Sequence, residues 1–339
     1  TTLLRHVFPR HDYVVFDASL DQENARREPE LFLRNHPSPV ILDEIQYAPE
    51  VVATIKRRVD RSGGAPGQFL LTGSQQWQVL RALAESLAGR VAFLDLQGFS
   101  LAELGDAPGG WLAAWLQSCN GADQGADFLA GCRKARRYEG GLQEWLWRGF
   151  LPRATEIEAD LVADFWRGYH RTYVERDARL AGDVHDWQEF GRFVQLMSAL
   201  TAQEINFSQL GREIGMTPQT ARRWLKAMEA TFQWFELPAF SGNPTKRVSA
   251  RPKGHLADTG LACHHAGISS PRTLGGHPLF GALFETAMVC EVMKQAAVLP
   301  APPAFHHWRA AGGGEVDLLL ERDGVLHPFE IKLTANPGG

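Results

Sequence analysis

Two stretches of this chain set carboxylates where a divalent cation could be held. Asp43-Glu44 directly follows the apolar run Val40-Ile41-Leu42. A strand ending there would bring one carboxylate to a Mg²⁺ shell and leave the next to orient an attacking water; the competing account is a solvated acidic turn. The second stretch is built around Asp323-Gly324, a strong two-residue hairpin signal between strand-like runs at 315–322 and 325–333. A two-residue loop pairs Arg322 with Val325, and counting outward sets Asp317 opposite Glu330 and Glu315 opposite Lys332. The period of two puts these four on one face and Val316, Leu318, Phe329 and Ile331 on the other. Opposed carboxylates at a close, non-hydrogen-bonded pair repel, and a divalent cation between them removes that cost. The adjacent pairs His264-His265 and His306-His307 point apart on regular structure, and are read as structural.

The elements that must hold these groups are legible in outline. Apolar runs at 12–17, 39–44 and 68–74 each end in polar residues, and Val51 to Val59 has apolar positions at helical spacing. Continuous apolar strands alternating with helices predict a parallel sheet covered on both faces, with ligands beyond the carboxyl ends of the strands. Asp43-Glu44 at such an end has the form of a Walker B motif. Ser74, in Thr72-Gly73-Ser74, would set a hydroxyl near a γ-phosphate. Arg90 would neutralise developing charge as a finger or sensor, or is a surface arginine.

Residues 105–140 are rich in Gly and Ala and read as a loop or insertion, with a solvated basic run at Arg133 to Arg137. Phe165 to Asp177 reads as a long structural helix. Residues 207–225 form a helix-turn-helix pattern: Ser208 as one cap, Gly215 in the turn, and Thr217 as the next cap with Pro218 at the first helical position. Ala221, Trp224, Leu225 and Met228 repeat at helical spacing, leaving Gln219, Thr220, Arg222 and Arg223 outward, able to reach base edges or phosphates. Lys246, Arg247, Arg251 and Lys253 then form a basic stretch with no acid, either a β-wing along a phosphate backbone or a solvated wing. Phe280 to Lys294 reads as a helix with an apolar stripe of Leu283, Phe284, Ala287 and Met288. Glu285 shares a face with Met288 and Val292, a costly place for a carboxylate without a partner.

The segments Leu42-Asp43-Glu44-Ile45-Gln46, Leu71-Thr72-Gly73-Ser74-Gln75 and Ser86-Leu87-Ala88-Gly89-Arg90 resemble a large bacterial and archaeal family of AAA-like, STAND-related P-loop ATPases. In that family a winged helix and a conserved domain of unknown function follow the ATPase. The resemblance covers essentially the whole chain. It aligns Thr1-Thr2-Leu3-Leu4 with the end of the phosphate loop, so that Thr1 and Thr2 would sit at the nucleotide and Thr1 would offer a hydroxyl to Mg²⁺. The cradling Gly-Lys would precede Thr1, so both ends read as clipped and ATP hydrolysis is expected of the full-length form. Asp317 followed by Glu330-Ile331-Lys332 is similar to the PD-(D/E)XK nuclease superfamily. That likeness implies Glu285, Asp317 and Glu330 as metal ligands with Lys332 beside the attacking water.

Composition bounds these readings. The chain has 339 residues, 44% apolar and 22% charged, typical of a globular protein. Lys plus Arg is 35 against 39 for Asp plus Glu, a net charge of −4, which excludes a globally basic nucleic-acid coat but not a local basic face. No apolar run approaches the roughly 18 residues of a membrane span. Four scattered cysteines suit a reducing cytoplasm. The expected organisation is α/β: a P-loop NTPase parallel sheet (1–104), a linker and helical lid (105–185), a winged helix (186–255) and a restriction-endonuclease-like α/β domain (256–339). The expected function is an ATP- and Mg²⁺-dependent ATPase, with Asp43 on the metal, Glu44 as base, Ser74 as sensor and Arg90 as finger. It would be coupled to DNA binding and a Mg²⁺-dependent nuclease-like site, with a homo-oligomer left open. The alternative is a non-catalytic, nucleotide-regulated switch or scaffold acting through protein partners.

Overall fold

The computed structural model describes residues 2–17, 19–73, 87–105, 110–118, 128, 140–173, 186–243, 250–310 and 312–334. They fall into two compact units, one within residues 1–94 and the other within 95–176 and 184–339.

In the first unit, α1 (Thr2–Val7), β1 (Asp12–Val15), α2 (Ser19–Arg27), α3 (Pro29–Asn35), β2 (Val40–Asp43), α4 (Val51–Arg61) and β3 (Phe69–Leu71) follow one another. The strands form a parallel sheet in the order β1-β2-β3, with Val15 beside Asp43 and Leu42 beside Leu71. All four residues of β2 are buried, as an uninterrupted apolar strand covered on both faces should be. Val51, Val52 and Ile55 of α4 pack on Val40, Leu42, Phe16 and Leu33. Arg58 of α4 donates to the carbonyls of Leu33 at 2.6 Å and Glu30 at 3.0 Å, placing a cation against the last turn of α3, where the helix dipole favours it.

The second unit begins with the short helix α5 (Leu101–Leu104), followed by α6 (Trp111–Ser118). The loop expected across 105–140 is corrected at α6: Trp111, Leu112 and Leu116 recur at helical spacing and pack against the C-terminal sheet and its helix. The basic run at Arg133–Arg137 lies outside the described residues. Next come α7 (Gly141–Arg148), α8 (Pro152–Glu156), α9 (Val162–Thr172) and α10 (Trp187–Ala199).

From α10 the chain continues through β4 (Gln203–Glu204), α11 (Phe207–Ile214), α12 (Pro218–Ala230), β5 (Trp234–Leu237) and β6 (Lys253–Leu256). The three strands form an antiparallel sheet in the order β4-β6-β5. The cap of α11 is Asn206, not Ser208: its side chain accepts from the Ser208 and Gln209 backbone N–H groups, so the helix starts one residue ahead of Ser208. Gly215 closes α11 at φ 76, and Thr217 caps α12 by accepting from Thr220 N–H. Ala221, Trp224, Leu225 and Met228 are buried. Gly254 of β6 lies against Trp234 and Ile205 so closely that a Cβ there would overlap the indole ring.

The chain closes with α13 (Thr259–His265), α14 (Pro271–Leu274), α15 (Phe280–Ala297), β7 (Ala304–Arg309), β8 (Glu315–Arg322) and β9 (Val325–Phe329), the last three forming an antiparallel sheet in the order β7-β8-β9. The β8–β9 ladder pairs Arg322 with Val325 and runs to Leu318 opposite Phe329, the register that the Asp323-Gly324 turn predicts; both turn residues have positive φ, 52 and 77. Leu318, Leu320, Phe329 and Ile331 face Val289, Val292 and Ala296 of α15. This helix is buried on more of its circumference than the expected stripe: Leu283, Thr286, Ala287, Val289 and Cys290 are all buried, whereas Phe284 and Met288 are half-buried. The C-terminal end of β5 reaches β7 through Phe240 N–H to His307 O at 2.7 Å and His307 N–H to Pro238 O at 3.1 Å.

Candidate functional site

In the first unit the carboxylate of Asp43 stands at the carboxyl end of the central strand, 3% exposed. One of its oxygens accepts from the Tyr13 hydroxyl at 2.6 Å, and the other from the Thr72 hydroxyl. Tyr13 reaches it from β1, and Thr72 follows β3, so the flanking strands each supply one donor. Burial, then the hydrogen bond to Asp43, pushes the Tyr13 phenol up to about 12, which keeps it a donor. Neither group was singled out from the sequence; the parallel register is the signal that finds them, because it sets Thr72 beside Asp43.

Glu44 is half-buried in a left-handed conformation, φ 60, and accepts from the Gln46 amide. A non-glycine residue in that region is held there by its surroundings. Thr2 is exposed at the start of α1. Arg90 is not drawn to this end of the sheet: its guanidinium is bound to Asp60 at 2.5 Å and to the Ala88 carbonyl. Thr1 and Ser74 lie outside the described residues.

In the second unit Glu285, on α15, and Asp317, on β8, converge on one cation. It is Lys253, the first residue of β6. Its Nζ lies 2.5 Å from Glu285 Oε1 and 3.1 Å from Asp317 Oδ1, and the three side chains are 10%, 15% and 3% exposed. This corrects the basic-wing reading of Lys253. The strand is short and paired on both flanks, so the ammonium is turned inward instead of lying along a surface. The other oxygen of Asp317 accepts from the Ile331 N–H at 3.0 Å, so beyond Phe329 the chain bonds this side chain instead of extending the ladder to Glu330. Burial opposes the charge on Lys253, but the two carboxylates more than offset it and hold the ammonium above its ordinary value. Burial lifts Glu285 to about 7 against the pull of Lys253, with Asp317 and Glu315 adding to the rise.

Glu330 and Lys332 face each other at 2.5 Å with nearly half of each side chain exposed. Lys332 is held above its ordinary value first by Glu330, with smaller contributions from Asp317 and Glu315. The set expected as Glu285, Asp317, Glu330 and Lys332 therefore divides: two acids meet Lys253 inside, while Glu330 and Lys332 pair outside. Among the described residues no three His, Cys, Asp or Glu side chains gather into a cluster that would hold a metal ion. Lys253 was missed as a buried group because its partners come from two elements far along the chain.

On α12, Gln219, Arg222 and Arg223 are exposed and Thr220 is half-buried. The Arg222 guanidinium stacks over Phe207 at 4.8 Å. Lys246 and Arg247 lie outside the described residues. His307 bonds the Arg251 carbonyl at 3.0 Å, a structural tie.

Comparison with known proteins divides the chain in sequence. Residues 1–105 match a family model described as "AAA domain", residues 139–272 one described as "Domain of unknown function (DUF8612)", and residues 280–339 one described as "Domain of unknown function (DUF4143)". The chain is 29% identical over 339 residues to Uncharacterized protein Rv2008c of Mycobacterium tuberculosis and to Uncharacterized protein Mb2031c of Mycobacterium bovis, spanning 99% of this chain and 68% of each relative. No solved structure matches it at a significant level. The N-terminal match is to an AAA-like, P-loop ATPase type of domain, and the C-terminal match is to a domain of unknown function. Among the described residues no helix is long and apolar enough to cross a membrane.

Proposed function

We propose that the chain is an AAA-type ATPase whose nucleotide state governs a winged-helix DNA-binding module and a nuclease-like domain. The observation that carries this reading is the Asp43 carboxylate, fixed by Tyr13 and Thr72 at the end of the central strand within a segment that matches an AAA domain. A carboxylate and a hydroxyl are the hard oxygen donors that Mg²⁺ prefers. Asp43, with Thr1 and Thr2 at the phosphate loop, would hold Mg²⁺ and ATP. The cation, when bound, supplies charge neutralisation on the phosphates. Tyr13 and Thr72 orient Asp43, Glu44 orients the attacking water, Ser74 senses the terminal phosphate, and Arg90 acts only after releasing Asp60.

The assigned modules are the ATPase at 1–104, the linker and lid at 105–185, the winged helix at 186–255 and the nuclease-like domain at 256–339. The order α10-β4-α11-α12-β5-β6 with sheet order β4-β6-β5 supports a winged helix. There α12 offers Gln219, Thr220, Arg222 and Arg223 to DNA, and the wing offers Lys246 and Arg247. A second reading, a nucleotide-regulated switch acting through protein partners, is favoured at the C-terminal end by one fact: an ammonium already lies between Glu285 and Asp317.

The test is ATP turnover by the full-length protein beside Asp43→Asn and Glu44→Gln. Glu44→Gln should bind ATP and lose hydrolysis by about 10²-fold or more, and Asp43→Asn should lose its response to Mg²⁺. Equal turnover in all three proteins contradicts the assignment.

A further inference from the structure

Lys253 occupies the place that a bridging cation would take between a helix acid and a strand acid. Its Nζ is 2.5 Å from Glu285 and 3.1 Å from Asp317, with all three side chains largely withdrawn from solvent. We propose that Lys253 is a built-in counter-cation that excludes divalent metal from the Glu285–Asp317 pair, and that the pair becomes a metal site only when β6 withdraws the ammonium. This deepens the nuclease-like reading and rests on it only for what an opened site would do.

Three features carry the proposal. One is charge: when both acids are ionised, a single ammonium leaves one negative charge uncompensated, and Glu204 and Glu315 line the adjoining cavity of about 320 Å³ with Lys253, Glu285 and Arg309. A divalent ion would balance the pair that a lysine only half balances. Another is access, since that cavity opens beside Lys253 and Glu285. The last is attachment. Lys253 lies between Glu204 of β4 and Leu237 of β5 in the sheet whose strands flank α11 and α12 in sequence. The blocking group therefore belongs to the small sheet, whereas the carboxylates belong to α15 and β8. A displacement of β6 relative to α15, which must also break the 3.1 Å hydrogen bond between His255 and Thr286, would draw the ammonium away from the acids. Lys332 cannot take over this role while it is paired with Glu330 at the surface.

Mn²⁺ binding to the full chain, followed by electron paramagnetic resonance and by the shift of the melting temperature, tests the proposal. Wild type and Lys253→Arg should show no binding that depends on Asp317. Lys253→Met should bind Mn²⁺ at least about tenfold more tightly than wild type, with a melting temperature that rises on Mn²⁺ addition, and the Lys253→Met/Asp317→Asn double variant should lose both effects. Lys253→Gln, which keeps hydrogen bonds to the carboxylates without the charge, repeats the comparison in a protein whose folding does not need the metal. Asp317-dependent Mn²⁺ binding by wild type as tight as that of the variants overturns the proposal, as does a folded Lys253→Gln protein that binds no Mn²⁺. DNA cleavage is scored separately: a variant that gains Mn²⁺ and cuts nothing supports the masking and removes the nuclease reading.

Discussion

Asp258 is the buried acid whose removal has the most calculable consequence. It follows β6 and caps α13, and its carboxylate accepts three backbone N–H groups: Gly260 at 2.7 Å on one oxygen, and Phe150 at 2.8 Å and Leu151 at 3.2 Å on the other. Burial raises its pKa to about 6 from 3.8, against the pull of those N–H groups and of Lys294. A folded-state pKa above the unfolded one means that the folded chain holds the proton more tightly. The resulting stability is complete below pH 3.8 and is lost as pH rises through about 6. At about 1.4 kcal/mol per pKa unit, the loss amounts to about 3 kcal/mol. Asp258→Asn cannot titrate, and its amide cannot serve all three donors; one unsatisfied buried N–H costs about 1–3 kcal/mol. Urea unfolding of wild type and variant, followed by the fluorescence of nearby Trp145, Trp147 and Trp166, measures both effects. The stability advantage of wild type over Asp258→Asn should shrink by about 2 kcal/mol between pH 4 and pH 7. Parallel curves across that range would refute the reasoning, because they would mean that Asp258 ionises in the folded protein as it does in water.

Gly149 sits at φ 82 with Asp258 directly beside the position of a Cβ, so Gly149→Ala should cost more than about 2 kcal/mol in the same unfolding assay. Burial, then the neighbouring His170 and His264, lowers His265 to about 3. Its neutral form stabilises the fold above pH 6.5, and that contribution falls away as pH drops toward 3, so His265→Asn should flatten the acid loss by up to about 1.4 kcal/mol per pH unit. If α12 contacts DNA phosphates, Arg222→Ala with Arg223→Ala should lower the slope of log affinity against log salt by about 2 while leaving α12 folded by circular dichroism. An unchanged slope removes these arginines from the interface.

What could be read from the sequence follows how local its cause is. The strand at Val40–Asp43 is legible because four consecutive residues are buried by helices on both faces, and an apolar run with an acid at its end records that. The β8–β9 register is legible because Asp323 and Gly324 both take positive φ, so the turn alone sets every pair that follows. Asn206 and Ser208 are both good caps two residues apart, and only the backbone decides which one faces the free N–H groups. Helix α6 was obscured by the glycines around it, although Trp111, Leu112 and Leu116 carry its apolar face. The hardest group was Lys253: Lys-Gly-His-Leu has neither the alternation nor the residue types of a strand, and its partners Glu285 and Asp317 reach it only through the packing of two sheets and a helix. Tyr13 and Thr72 were passed over for a similar reason, since a hydroxyl gains a role only once a neighbouring strand brings a carboxylate to it.

Gly254 gives the small sheet a means of rejecting misalignment. A one-residue slip of β6 would send either Lys253 or His255 against Trp234, where there is no room even for a methyl group, and would turn every other side chain of the strand to the opposite face. A short strand between two partners has few hydrogen bonds with which to choose its alignment. The steric veto at one glycine makes that choice instead, and residue 253 inherits its direction from it. Substituting Gly254 would therefore misdirect the cation next to it, so damage at an uncharged, side-chain-free position would be felt first as an electrostatic fault at the adjoining residue.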